Sequence, residues 1–90
     1  MDQVQLIRVF KALGDEKRLE ILRLINAEDD ICACDILESM NILQSSLSQH
    51  IKILCNADLV KCRRDGKWMR YSINRETFEK VGEIIDSVSF

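Results

Sequence analysis

Apolar residues recur three positions apart at Val4, Ile7, Phe10 and Leu13, the stripe of an amphipathic helix over about residues 3–13. Gly14 breaks that pattern. Asp15 is a suitable cap for a second helix running to about Ala27, with Leu19, Leu22 and Ile25 inward and Ile21 beside them. After the polar connection Glu28-Asp29-Asp30, a short third helix is predicted from about Cys32 to Met40. Asn41, which tolerates left-handed backbone angles, fits the turn that follows. A fourth helix covers about Gln44 to Ala57. Its Leu47, Ile51 and Leu54 form the core stripe, and Ser45, Ser48, Gln49, Lys52 and Asn56 fall on the opposite face.

The period then changes from helical to alternating. Asp65-Gly66 is a strong two-residue turn signal between alternating segments, so these form a hairpin. Pairing outward from that turn sets Arg64 opposite Lys67, Arg63 opposite Trp68, Cys62 opposite Met69, Lys61 opposite Arg70 and Val60 opposite Tyr71. One face collects Val60, Cys62, Met69 and Tyr71 and is expected in the core; the other carries Lys61, Arg63, Trp68 and Arg70. A last helix from about Arg75 to Val88 presents Phe78, Val81, Ile85 and Val88, with Ile84 adjacent. A terminal helix on so short a chain has little core left to cover. Its stripe and that of the first helix are therefore expected to form a dimer seam, with packing within one chain as the alternative.

Length and composition narrow the class. Ninety residues suggest a single domain, 1–90, mainly α with a small β-hairpin, near the size at which dimerisation often completes burial. At 47% hydrophobic and 31% charged, the chain reads as globular. No apolar run approaches the roughly 18 residues of a membrane span, and no signal-peptide core opens the chain, so no membrane partner is expected. Four cysteines without framework spacing suggest free thiols in a reducing cytoplasm. No nucleophile–base constellation or phosphate-binding glycine loop is present, so an enzyme is not expected.

Charge changes the picture more than composition does. The net charge is −2, yet residues 61–75 hold six basic side chains against Asp65 alone, a local +5 on a body of −7. A basic hairpin face with an aromatic among its cations suits phosphate contact, with Trp68 able to stack against Arg63. The polar face of the fourth helix carries Gln, Ser and Lys and no carboxylate, side chains suited to reading base edges. A solvated face is the alternative for both surfaces.

Helix, helix, short helix, turn, polar-faced helix, basic hairpin and helix is the order of a winged helix-turn-helix. Residues Ala12 to Leu22, Gln44 to Leu54, Asp58-Leu59-Val60 and the segment from Arg63 to Tyr71 together resemble the ArsR/SmtB family of metal-sensing transcriptional repressors. The resemblance implies a homodimer, joined through the first and last helices, that binds a double-stranded DNA operator and leaves it when an effector binds. It implies no required cofactor. The third and fourth helices would form the helix-turn-helix, with the fourth in the major groove. On matching positions, Gln44, Ser45, Ser46, Ser48, Gln49 and Lys52 would lie at the DNA, with Arg63, Arg64, Lys67 and Arg70 on the wing. Leu43 departs from the family's small polar cap, and Asn41 with Gln44 is expected to act as a shifted capping box instead. His50 is expected to be a packed, hydrogen-bonded side chain. The last helix has no histidine, which excludes the family's zinc site there.

Cys32-Ala33-Cys34-Asp35 matches the motif that the family's arsenic, cadmium and lead sensors carry at the start of the third helix. Thiolates are soft ligands for such ions. On an intact helix, residues i and i+2 point about 200° apart, so chelation by Cys32 and Cys34 requires an extended or unwound first turn. If that turn belongs to the DNA-reading motif, ion and DNA would favour different backbones, which is a switch. The alternative is that both are small buried residues. Three residues after Cys34 the chain has Leu37 rather than a third cysteine, and Cys55 and Cys62 are expected to pack structurally. Two thiolates with a solvent or small-molecule thiol donor can still hold As(III). The expected effector is As(III), then Cd(II) or Pb(II), with Cys32 and Cys34 as ligands. Two rivals remain open: the same repressor with a thiol redox or persulfide switch, and a dimerisation or adaptor module whose basic hairpin binds an acidic protein.

Overall fold

Capping chemistry sets the first two helices. In the computed structural model, which describes residues 1–88, α1 spans Gln3–Leu13 and α2 spans Glu16–Glu28. The Asp2 carboxylate accepts the Gln5 N–H at 2.8 Å, and the Asp15 carboxylate accepts the N–H groups of Lys17 and Arg18 at 2.8 and 3.1 Å. Those bonds, the Arg18 amide first, hold the Asp15 carboxyl below its ordinary value. Arg18 then reaches back to the end of α1, donating to the Ala12 and Lys11 carbonyls at 2.7 and 3.0 Å.

The remaining elements are β1 (Ile31–Cys32), α3 (Ala33–Ser39), α4 (Gln44–Asn56), β2 (Val60–Asp65), β3 (Trp68–Ile73) and α5 (Arg75–Ser87). This is a winged helix-turn-helix, mainly helical, with an antiparallel sheet in the order β1-β3-β2. Residues 89 and 90, the end of the domain expected from the sequence, lie outside the described residues. No helix among the described residues is long and apolar enough to cross a membrane.

Ile21, Leu22 and Ile25 of α2, Ile36 of α3, and Leu47, Ile51 and Leu54 of α4 meet in one core with Leu59, Val60 and Val81. From α1 that core takes Val9 and Ala12, and the stripe expected at a dimer seam stays outside it: Val4, Ile7 and Phe10 are 60, 45 and 47% exposed. The helix has apolar residues on two faces. The Gln5 amide, on the Val9–Ala12 face, donates to the Asp58 carboxylate just beyond α4 and accompanies that face inward. Leu19 is also exposed rather than inward, because it lines an open apolar pocket of about 500 Å³ with Leu13, Leu22 and Phe78.

The hairpin differs from the expected one in register. Arg63 lies opposite Arg70, Cys62 opposite Tyr71 and Asp65 opposite Trp68, so the two loop residues are Gly66 and Lys67. Glycine at φ 63° supplies the positive angle that the first position of such a loop favours. The partners move by two residues, so each side chain keeps its expected face. Cys62 is nevertheless exposed instead of buried: of β2 only Val60 is buried, and the strand is exposed from Lys61 onward. The strand β1 adds a third member that the hydrophobic pattern did not predict: Ile31 pairs with Tyr71 and Cys32 with Arg70. The left-handed turn residues are Asp29, Asp30 and Asp58, not Asn41. The chain leaves α3 through Met40 in extended backbone, with that side chain anchored in the core, and so needs no left-handed turn.

Candidate nucleic-acid interface and thiol site

The fourth helix presents its polar face as expected. Gln44, Ser45, Ser48, Gln49 and Lys52 are exposed and Ser46 is half-buried, while Leu47, Ile51 and Leu54 anchor the opposite side. Leu43 occupies the N-cap and makes no side-chain cap bond, so the capping box expected from Asn41 and Gln44 is not formed. The first-turn amides of α4 are left without a side-chain partner, a state compatible with an anion beside them. His50 is half-buried with Nδ1 3.4 Å from Arg18 Nη1, the packed role expected of it.

On the wing, Arg63, Arg64 and Lys67 are exposed and Arg70 half-buried. These four cations fall into two pairs. Arg63 Nη2 meets the Asp30 carboxylate at 2.5 Å. Arg70 Nε meets the Asp65 carboxylate at 3.1 Å, and its Nη1 donates to the Asp30 carbonyl at 3.0 Å. Among the described residues, Arg64 and Lys67 form no ion pair. Trp68 does not stack against Arg63, which Asp30 holds elsewhere; the Lys67 ammonium lies over its ring instead, 5.4 Å from the centroid. Asp30 is the polar residue the sequence reading missed. Its only signal was membership of an acidic connection, whereas its partners lie 33 and 40 residues away.

The two thiols of the motif do meet. Cys32 is the N-cap of α3, with extended backbone at φ −73° and ψ 142°, and is 4% exposed. Its Sγ accepts the Cys34 N–H at 3.4 Å, and Cys34 sits exposed in the first helical turn. Because Cys32 is not helical, the splay of an intact helix does not separate the pair. The Cys34 thiol, hydrogen-bonded to the Cys32 sulfur, pulls Cys32 below the ordinary thiol value, with backbone N–H groups of Cys34 and Asp35 assisting. The same contact raises Cys34. The pair is thus asymmetric, with the Cys32 thiol lowered and the Cys34 thiol raised from the ordinary value.

Among the described residues no group of three or more His, Cys, Asp or Glu side chains converges as a metal site. Cys55 packs against the core, and burial pushes its thiol up to about 11, with neighbouring Cys62 adding to the rise.

Residues 15–61 match a family described as bacterial regulatory proteins of the arsR family. The arsenical resistance operon repressor of Staphylococcus xylosus is 35% identical over 89 residues, covering 99% of this chain and 85% of that protein. An ArsR-like transcriptional regulator from Rhodococcus superposes with a TM-score of 0.85 at 25% identity, over 94% of this chain and 79% of that one. A homodimeric winged helix-turn-helix DNA-binding domain from Mycobacterium bovis superposes at 0.76 and 26% identity, over 92% and 77% of the two chains.

Proposed function

Because the chain belongs to the arsR family of bacterial regulatory proteins, whose members are DNA-binding regulators and not enzymes, we propose that it is an operator-bound repressor released when a thiophilic ion binds Cys32 and Cys34. The observation that carries this reading is the extended N-cap at Cys32, which sets its sulfur against the Cys34 N–H, with the thiol held below its ordinary value. As(III) is the first candidate, because a two-thiolate donor set suits it and the similar Staphylococcus protein is an arsenical resistance repressor. Cd(II) and Pb(II) follow. Cys32 and Cys34 hold the ion, and solvent or a small thiol supplies any further donor.

The chain works as one domain, 1–90, in the cytoplasm, paired with a second copy through the exposed stripes of α1 and α5. In each subunit, α4 enters the major groove. Ser45, Ser48, Gln49 and Lys52 face the bases, and Gln44 and Ser46 sit at its first turn near the phosphate backbone. Arg63, Arg64, Lys67 and Arg70 follow the flanking phosphates. The thiol pair caps α3, the helix that precedes α4, and Cys32 is the sheet partner of Arg70. Rearranging Cys32 around an ion thus disturbs both the helix-turn-helix and the wing, so an ion that prefers the rearranged backbone lowers DNA affinity by its differential affinity for the two states.

The test is fluorescence anisotropy of the reduced protein on DNA from its own promoter, titrated with As(III) and then Cd(II). Release is expected, and the Cys32→Ser, Cys34→Ser double variant is expected to bind with unchanged affinity and ignore both ions. Operator binding that neither ion disturbs removes the ion from the reading and leaves an oxidant or persulfide as the effector. Binding to no DNA, specific or random, with capture of an acidic protein, would make the chain an adaptor instead.

A further inference from the structure

Asp30 holds both wing arginines that face the thiol side of the sheet, and nothing in the operator-binding reading uses it. Its carboxylate takes the Arg63 guanidinium at 2.5 Å and its main-chain carbonyl takes Arg70 Nη1 at 3.0 Å. Two consecutive left-handed residues, Asp29 at φ 48° and Asp30 at φ 59°, turn the chain from α2 into β1 and set Asp30 against the wing. Left-handed backbone is disfavoured for most L-residues but tolerated by Asp and Asn, so the position accepts few side chains.

We propose that Asp30 is a positioning residue for DNA affinity: its carboxylate occupies Arg63 as a DNA phosphate would, and the wing must surrender that contact to grip the duplex. The geometry is that of phosphate recognition, a guanidinium on an anionic oxygen at hydrogen-bonding distance. Asp30 and the Arg63 side chain are both substantially solvent-exposed, 46% and 56%, so water and salt weaken their pairing and a phosphate can replace the carboxylate. Displacement leaves an uncompensated carboxylate close to the DNA backbone, an added repulsion at every site whatever its sequence. Asp65 on Arg70 is a second such pair, but it lies within the hairpin itself, five residues away, and moves with the wing. Among the described residues, only Asp30 ties the wing to the body of the protein through a side-chain carboxylate. This inference rests on the reading that the wing contacts phosphates.

The variant Asp30→Asn keeps the size and the tolerance of left-handed backbone, and leaves the main-chain carbonyl for Arg70. It is expected to tighten binding to operator and random DNA alike, by up to about fivefold at moderate salt, the scale of an exposed ion pair. The slope of log affinity against log salt should steepen by about one, as one more cation becomes free for a phosphate. Arg63→Ala alone should weaken binding to both DNAs. In the Asp30→Asn, Arg63→Ala double variant the gain should vanish, because Asp30 acts through Arg63. Circular dichroism of each variant checks that the fold persists.

Weaker or unchanged binding by Asp30→Asn overturns the proposal. So does a gain that survives in the double variant, which would mean a general charge effect rather than competition for one arginine. If the wild-type protein binds neither DNA, the repressor reading fails first, before any variant is made, and the proposal falls with it. Wild-type binding with no Asp30 effect sinks the proposal alone.

Discussion

Four thiols on one small chain differ in reactivity by position. The Cys32 and Cys34 side chains interact, which lowers the Cys32 thiol and raises the Cys34 thiol. Cys55 is half-buried and pushed up to about 11. A thiol reacts with an alkylating agent through its thiolate, so raising the folded-state pKa suppresses the rate at neutral pH. Alkylation of Cys55 in the native protein, followed by mass spectrometry of its peptide, should therefore climb about tenfold per pH unit until pH approaches that value. A plateau near the ordinary thiol value would mean that the site is open to water. Residue-level chemistry of this kind was half legible beforehand. The Cys32–Cys34 pair announced itself by spacing, but the exposure of Cys62 was not legible there.

At the scale of elements, the proposed DNA contacts are divided between α4 and the hairpin. Gln49 is exposed in the middle of the polar face of α4, opposite Leu47, Ile51 and Leu54, and among the described residues its side chain makes no hydrogen bond. Replacing it with alanine should cost about 1–3 kcal/mol on the operator and much less on random DNA. Equal losses on both DNAs, measured by anisotropy, would show that it touches only the backbone. Arg64 on the wing makes no ion pair among the described residues, so Arg64→Ala should weaken both DNAs equally and reduce the salt slope by about one. A loss confined to the operator would move Arg64 from phosphate to base. The α4 stripe was readable because helical spacing records which residues share a face. The hairpin's faces survived an error in register because a shift of two residues preserves alternation.

Across the whole molecule, the exposed apolar residues are not scattered. Val4, Ile7 and Phe10 lie along α1, and Ile85 and Val88 along the end of α5, each about half exposed or more. Such stripes are costly in water and gain by meeting a second copy. Phe10→Glu should give a protein of half the apparent mass by analytical ultracentrifugation, with operator affinity reduced at least tenfold because one subunit contacts one half-site. A variant that remains a dimer would place the seam elsewhere. The periodicity that revealed the α1 stripe favoured a dimer seam but left packing within one chain as the alternative. Both faces of that helix are apolar, and only the docking of Val9 and Ala12 against the other helices settles the choice.

The sequence by itself determined what depends on neighbours within a turn or two: the capped helix start at Asp15, the core stripe of α4, the alternation of the hairpin and the concentration of charge on it. Tertiary structure alone decided what depends on distant partners. The pairing of Ile31 and Cys32 with β3 makes a third strand of two residues, too short to leave a pattern. That pairing accompanies the extended backbone at Cys32, on which the contact with Cys34 depends. The Asp30 contacts to Arg63 and Arg70 join segments that no local period connects. Periodicity encodes the direction in which a side chain points, whereas its partner is chosen by the packing of whole elements.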